Sequence, residues 1–175
     1  LNEALRHAGI QNHARVEIEY VDAESMDAQS VRQLGAFDAI RLAASAMSRL
    51  EPTASGERGA IVNIASVAAF DGQIGQAAYA ASKGGLVGLT LPVARDLAAA
   101  GIRLNTVAPG LIDTPIYDFA EDPEAFKAKL GESVLFPPRL GDPAELASMV
   151  IECLTNSYMN AGVIRVDGGI RMPPK

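Results

Sequence analysis

The stretch Ile61–Gly85 reads IVNIASVAAFDGQIGQAAYAASKGG, and the fold turns on it. Ile61, Val62, Asn63 and Ile64 form a largely apolar, β-branched run, the pattern of a buried strand. Ser66 stands where that strand should end. A loop with Gly72 and Gly75 follows, and an Ala-rich helical segment then opens with Tyr79 and Lys83 near its start. These two are four positions apart, so a helix places them on one face, one turn from each other. An ammonium beside a phenol favours the phenolate and lowers a pKa that is ordinarily about 10. A tyrosine in that setting can act as an acid/base near neutral pH. Ser66 precedes Tyr79 by 13 positions, enough for a loop to bring its hydroxyl back beside the phenol. The bland alternative is an ordinary helix with a surface lysine and a half-buried tyrosine.

Working outward, strands alternate with helices. Downstream, the helix that begins at Gln76 extends to about Ala100, with Gly101 as a stop and Pro92 inside it, where a kink is expected. Ile102–Ala108 reads as a second buried strand, ending in Pro109-Gly110. Asp122-Pro123 opens a short helix that closes near Gly131. Asp142-Pro143-Ala144-Glu145 is a strong helix start, with an acid at the cap, proline in the first turn and Glu three residues on. That helix runs to about Asn156, and Val163–Val166 is a last strand before Asp167-Gly168-Gly169. Upstream, Pro52–Gly59 is a polar loop, expected to be the most mobile stretch, and Leu34–Leu50 is apolar at helical spacing. Arg15–Val21 alternates as a half-exposed strand, and Leu1–Gly9 reads as a helix fragment. The alternation predicts an α/β fold: a three-layer Rossmann-like parallel sheet with helices on both faces.

Composition bounds the function. The 175 residues suit one domain, 49% hydrophobic and only 5% aromatic, as close helix-on-sheet packing allows. A net charge of -6 argues against general nucleic-acid binding. The one cysteine, Cys153, lies in an apolar helical pattern and reads as a core residue, which points to a cytoplasmic setting. His7 and His13 are the only histidines, and no Cys/His cluster has metal spacing, so no metal is expected. No apolar run spans a bilayer, and the opening Leu1-Asn2-Glu3-Ala4 reads as no signal peptide.

The residues Asn63-Ile64-Ala65-Ser66, then Tyr79-Ala80-Ala81-Ser82-Lys83, with the later Asn105-Thr106-Val107-Ala108-Pro109-Gly110, resemble the short-chain dehydrogenase/reductase family. A bare Tyr-x-x-x-Lys is a weak signal; with the serine at its distance and the later run it is strong. The resemblance implies Ser66, Tyr79 and Lys83 as catalytic residues. It implies a cofactor site formed by Tyr79, Lys83, Pro109, the backbone of Ile112 and the hydroxyl of Thr114, which alone would read as a helix cap or an exposed loop hydroxyl. From about Arg41 to Lys175 the chain is similar to the type II 3-hydroxyacyl-CoA dehydrogenase branch. The runs Ala65–Phe70, Gly75–Tyr79, Arg139–Glu145 and Val163–Gly168 carry that similarity.

That branch implies interconversion of a 3-hydroxyacyl-CoA and a 3-ketoacyl-CoA with NAD, NADP being left open. Ser66 and Gln73 would bind substrate. It also implies a homo-oligomer paired through the long helix 76–100, with no nucleic-acid or membrane partner.

Two departures stand out. The family's T-G-x-x-x-G-x-G turn, which cradles the pyrophosphate, has no match here, so the N-terminal nucleotide-binding βαβ unit is missing. If Gly35 matches the family's L-x-G glycine, Arg32 takes the place of its catalytic Asn. Residues 1–40 instead resemble the start of the glutaminase domain of CTP synthase, through Leu1–Ile10 and Ala14–Asp22. Phe37-Asp38-Ala39-Ile40 fits the strand leading to that domain's oxyanion loop. Residues 1–40 are therefore expected to be an α/β segment of different origin, packed on the same sheet as a dehydrogenase part 41–175; the bland alternative is a divergent or incompletely represented dehydrogenase N-terminus. A second function follows, that of a truncated or chimeric non-catalytic α/β domain that keeps the fold and has lost dinucleotide binding. A serine hydrolase built on Ser66 lacks a G-x-S-x-G turn and a suitable histidine.

Overall fold

The computed structural model describes residues 26–174, with side chains from residue 35 onward. The expected helix Leu1–Gly9, the strand Arg15–Val21, the glutaminase-like runs up to Asp22 and the side chain of Arg32 lie outside this described part.

The first described element, α1, is one unbroken helix, Met26–Met47. It crosses residue 40 without interruption. Phe37–Ile40, matched above to a strand, is instead a turn of this helix. The reason is the spacing of its apolar residues: Ala36, Ile40, Ala43, Ala44 and Met47 recur every three or four positions and are all buried. The loop that follows closes on itself, the Thr53 amide donating to the Glu57 carbonyl at 2.8 Å.

Strand β1 is Gly59–Ile64, β2 is Ile102–Pro109 and β3 is Val163–Val166. They pair in parallel in the order β1-β2-β3, with Ile61 opposite Leu104 and Val107 opposite Ile164. Parallel neighbours need crossover connections. Helix α2, Ala77–Ala98, makes the crossover from β1 to β2, with Pro92 exposed inside it. Gly101, at φ +70°, turns the chain into β2.

Helices α3, Pro123–Gly131, and α4, Pro143–Thr155, lie between β2 and β3. The start expected at Asp142 is present in full: Asp142 accepts from the Ala144 amide, and the Glu145 carboxylate accepts from the Asp142 amide, each at 2.7 Å.

Because strand side chains alternate, the sheet presents two apolar faces. Ile61, Ile102 and Leu104 meet Ile40 and Met47 of α1 and Ala94 of α2 on one face. Ala60, Val62 and Val107 meet Val150, Cys153 and Leu154 of α4 on the other. The result is the expected three-layer arrangement with helices on both faces. Gly59 permits the close approach of α1, since a Cβ there would lie 2.6 Å from the Met47 sulfur.

One buried charge spans these layers. Arg103, on β2, is 6% exposed and uses all five of its donors. Its Nε and Nη2 grip the Glu57 carboxylate at 2.7 and 3.2 Å, and its Nη1 and Nη2 donate to the carbonyls of Cys153, Leu154 and Met159. A guanidinium at the last carbonyls of α4 also meets the negative end of that helix.

Candidate active site

The carboxyl ends of β1 and β2 lie side by side, and the residues singled out from the sequence collect there. Ala65 continues β1 by donating its amide to the Val107 carbonyl at 2.8 Å. The next residue, Ser66, is half-buried and caps the short 3-10 turn Val67–Ala69, its Oγ accepting from the Ala68 amide at 3.1 Å.

The first turns of α2 pack against that 3-10 turn. Tyr79 is half-buried on α2, and Lys83, one turn on, is buried at 3% exposure. The Lys83 ammonium donates to the Ile64 carbonyl at 3.1 Å and stands 5.8 Å from the centre of the Tyr79 ring. A lysine is rarely buried to this extent without partners. Here the strand end supplies one, and the lysine joins α2 to the strand that delivers Ser66. The structure therefore gathers Ser66, Tyr79 and Lys83 at one strand end.

Gln73 sits in the loop between Ser66 and Tyr79. Its amide Nε2 donates to the Pro173 carbonyl at 3.1 Å, and its backbone amide donates to Gln76 Oε1 at the same distance. It thus leans on the C-terminal segment of the chain.

Pro109 ends β2 beside β3. The loop beyond it is shaped by Gly141, whose amide donates to the Leu111 carbonyl and whose carbonyl accepts from the Asp113 amide, at 2.9 and 2.8 Å. Gly141 therefore takes up the groups on either side of Ile112, and Ile112's own amide and carbonyl face away from it. Thr114 stands at the cap position of the 3-10 turn Pro115–Tyr117, yet its hydroxyl makes no capping hydrogen bond. The cap role open to it on sequence grounds is not the one it plays. The loop after β2 thus leaves the Ile112 backbone edge and the Thr114 hydroxyl outside the Gly141 pairing.

A cavity of about 150 Å³ opens beside Ile112, lined also by Leu111, Val134, Arg139, Glu145 and Gly168. None of Ser66, Tyr79 and Lys83 lines it. Among the described residues no cluster of His, Cys, Asp and Glu could hold a metal ion, and no helix is long and apolar enough to cross a membrane.

Sequence reasoning passed over two arginines. Arg103 supports the sheet, as described above. Arg165, on β3, pairs with Asp71 at 2.8 Å and Asp167 at 2.6 Å, and so ties the Ser66–Tyr79 loop to the end of the chain. An arginine inside an apolar strand was the available signal for both. One more polar group is singular: Asn63 is 7% exposed, and its Nδ2 has no hydrogen-bond partner among the described residues.

Comparison with known proteins gives concordant results. A family model described as enoyl-(acyl carrier protein) reductase matches residues 1–171. The 3-hydroxyacyl-CoA dehydrogenase type-2 of Bos taurus is 54% identical over 145 residues, which cover 83% of this chain and 55% of that protein. The protein of the same name from Homo sapiens is 55% identical over 144 residues, covering 82% of this chain and 54% of its own length. The chain therefore spans about half the length of these relatives. A crystal structure of 3-hydroxyacyl-CoA dehydrogenase type-2 from Mycobacterium avium superposes with a TM-score of 0.83 at 37% identity, covering 99% of this chain and 73% of that one.

Proposed function

Because the chain belongs to the short-chain dehydrogenase/reductase family, we propose that it interconverts a secondary alcohol and a ketone, the substrate being a 3-hydroxyacyl-CoA and its 3-ketoacyl-CoA. Members of the family work with NAD(P); NAD is the form proposed here. The nicotinamide supplies the hydride acceptor. Tyr79 takes the proton of the substrate hydroxyl through its phenolic oxygen. Ser66 donates a hydrogen bond to the same substrate oxygen and orients it. Lys83, fixed by the Ile64 carbonyl, holds a positive charge near the phenol and reaches the ribose hydroxyls. Gln73 borders the acyl side. The backbone of Ile112 and the hydroxyl of Thr114 would hold the carboxamide, and Pro109 would border the same cofactor site.

The observation that carries this reading is the Lys83 anchor: a buried ammonium bonded to the end of the very strand that delivers Ser66, with the Tyr79 ring beside it. A structural lysine does not need the phenol there. Tyr79, Lys83, Ile112 and Thr114 are the residues that would hold the nicotinamide half of the cofactor. A second reading is a non-catalytic α/β domain of the family that keeps the fold without dinucleotide binding. Titration with NADH, followed by its fluorescence, separates the two. A saturable change together with oxidation of NADH by acetoacetyl-CoA supports the enzyme. No change at millimolar cofactor supports the non-catalytic domain.

Self-association through α2 belongs to the same proposal. Its exposed residues Ala77, Gly85 and Gly88 are small, and the exposed Leu91 is apolar, so a second copy could approach this surface closely. A monomer by light scattering at high concentration would count against it. A cytoplasmic setting, resting on the single buried cysteine, is proposed on the same footing.

A further inference from the structure

The loop from Ser66 to Tyr79 is held from outside by the last residues of the chain. Arg165 Nη2 donates to Asp71 Oδ2 in that loop and to the Ile170 carbonyl in the C-terminal segment, both at 2.8 Å. Its Nε donates to Asp167 Oδ2 at 2.6 Å, and its guanidinium lies 5.2 Å from the centre of the Phe70 ring. Beneath this grip, Ile170 is 2% exposed and packs with Val67, the residue after Ser66. Beyond it, the Ile74 amide donates to the Pro174 carbonyl at 2.9 Å, and Gln73 Nε2 donates to the Pro173 carbonyl. Loop and segment thus meet at Val67, Phe70, Asp71, Gln73 and Ile74. At the charged centre of the seam the Arg165 guanidinium lies between two carboxylates, and Arg171 Nη1 also reaches Asp167 Oδ2 at 3.5 Å and donates to the Ile170 carbonyl at 2.6 Å.

We propose that Arg165 is a positioning residue for the site. By gripping Asp71 and the Ile170 carbonyl at once, it clamps the C-terminal segment onto the Ser66–Tyr79 loop and sets where Gln73 stands on the acyl side of the substrate. The part concerning substrate rests on the function proposed above. The clamp itself does not. Arginine suits this place because its planar fork reaches a carboxylate and a carbonyl in fixed directions, which a lysine ammonium cannot reproduce. The cofactor contacts proposed above come from α2 and the loop after β2, and Leu111 of that loop packs on the same Val67–Ile170 cluster; the clamp therefore bears first on Gln73 and reaches the cofactor side only through that packing.

The test uses Arg165→Met and Asp71→Asn, read by amide hydrogen exchange and by steady-state kinetics with acetoacetyl-CoA and NADH. In both variants the Ile74 amide is expected to exchange about tenfold faster or more, while amides in β2 keep their rates. KM for acetoacetyl-CoA is expected to rise about tenfold, with KM for NADH held within about twofold. The double variant should be no worse than Arg165→Met alone, since the two residues act through one contact. Unchanged exchange at Ile74 overturns the clamp. A rise in KM for NADH equal to that for acetoacetyl-CoA, or a loss of kcat alone, overturns the substrate-side role. Should Arg165→Met raise exchange in β2 as well, its fold is lost, and Asp71→Asn, which leaves the Arg165–Asp167 pair intact, decides. Should the unaltered chain turn over no acetoacetyl-CoA, the proposed function and the substrate-side role fall together, and exchange at Ile74 still decides the clamp.

Discussion

Lys83 donates from its ammonium to the backbone carbonyl of Ile64 at 3.1 Å, so a helix side chain is fastened to the end of the neighbouring strand two residues before Ser66. The bond makes the distance between α2 and the end of β1 a fixed quantity. Removing the phenolic oxygen and removing the ammonium should then have different consequences. Tyr79→Phe is expected to bind NADH as the unaltered chain does and to lose about a hundredfold or more in turnover. Lys83→Met is expected to lose both. Fluorescence titration and turnover measured side by side check this; equal turnover in Tyr79→Phe would refute the acid/base role.

Arg103→Met should be among the most destabilising single changes. It leaves the partly buried Glu57 carboxylate without its partner and takes one donor from each of three carbonyls at the end of α4 and just beyond it, of which Met159 keeps the Asn105 side-chain amide. Breaking a buried pair from one side costs about 3–5 kcal/mol. Urea denaturation measures it. A loss within experimental error would show that solvent replaces those bonds freely.

Acid should act on the start of α4. Hydrogen bonds from the Arg139 guanidinium, then from the Asp142 amide, pull the Glu145 carboxyl from 4.5 down to about 2. A carboxyl with a lowered folded value stabilises the fold above its unfolded value, and that contribution fades as pH falls through the folded one. The window is therefore pH 4.5 to about 2. The Tm of the unaltered chain should fall more steeply across it than that of Glu145→Gln, and the two curves should draw together at the acid end. Parallel curves would reject the linkage.

Cys153 should be inert in the folded chain. Burial pushes its thiol pKa up, against the opposing charge of Arg103, and the residue is 0% exposed. A thiolate is the reactive form, so both access and ionisation are denied. A thiol reagent should label nothing in native buffer and one equivalent in denaturant. Stoichiometric labelling at the native rate of an exposed cysteine would place Cys153 outside the core.

Much of this architecture is legible along the chain because its determinants are local. Asp142-Pro143-Ala144-Glu145 carries its own cap, and the helix begins there. Asp122-Pro123 starts α3 in the same manner, with Asp122 accepting from the Ala125 amide. The β-branched run at Ile61–Ile64 and the stop at Gly101 fall where expected. The strand match at Phe37–Ile40 failed because a four-residue likeness competes with the 3.6-residue period of a whole helix, and burial follows the period. The cap role open to Thr114 on sequence grounds was not taken up: the residue sits at the cap position and does not cap.

Local patterns along the chain set the alternation of strands and helices, their caps and stops, and the placing of Ser66, Tyr79 and Lys83 on a strand end and one helix face. Each of these depends on residues within a few positions of one another. That Lys83 fastens to Ile64, that Arg103 binds Glu57 and the end of α4, and that Gln73 leans on Pro173, 100 positions away, came from the packed fold. Such partners are chosen by which groups remain unsatisfied once the layers have packed. A buried charge takes whatever carboxylate or carbonyl the closed fold brings within reach, and no local pattern states which that will be.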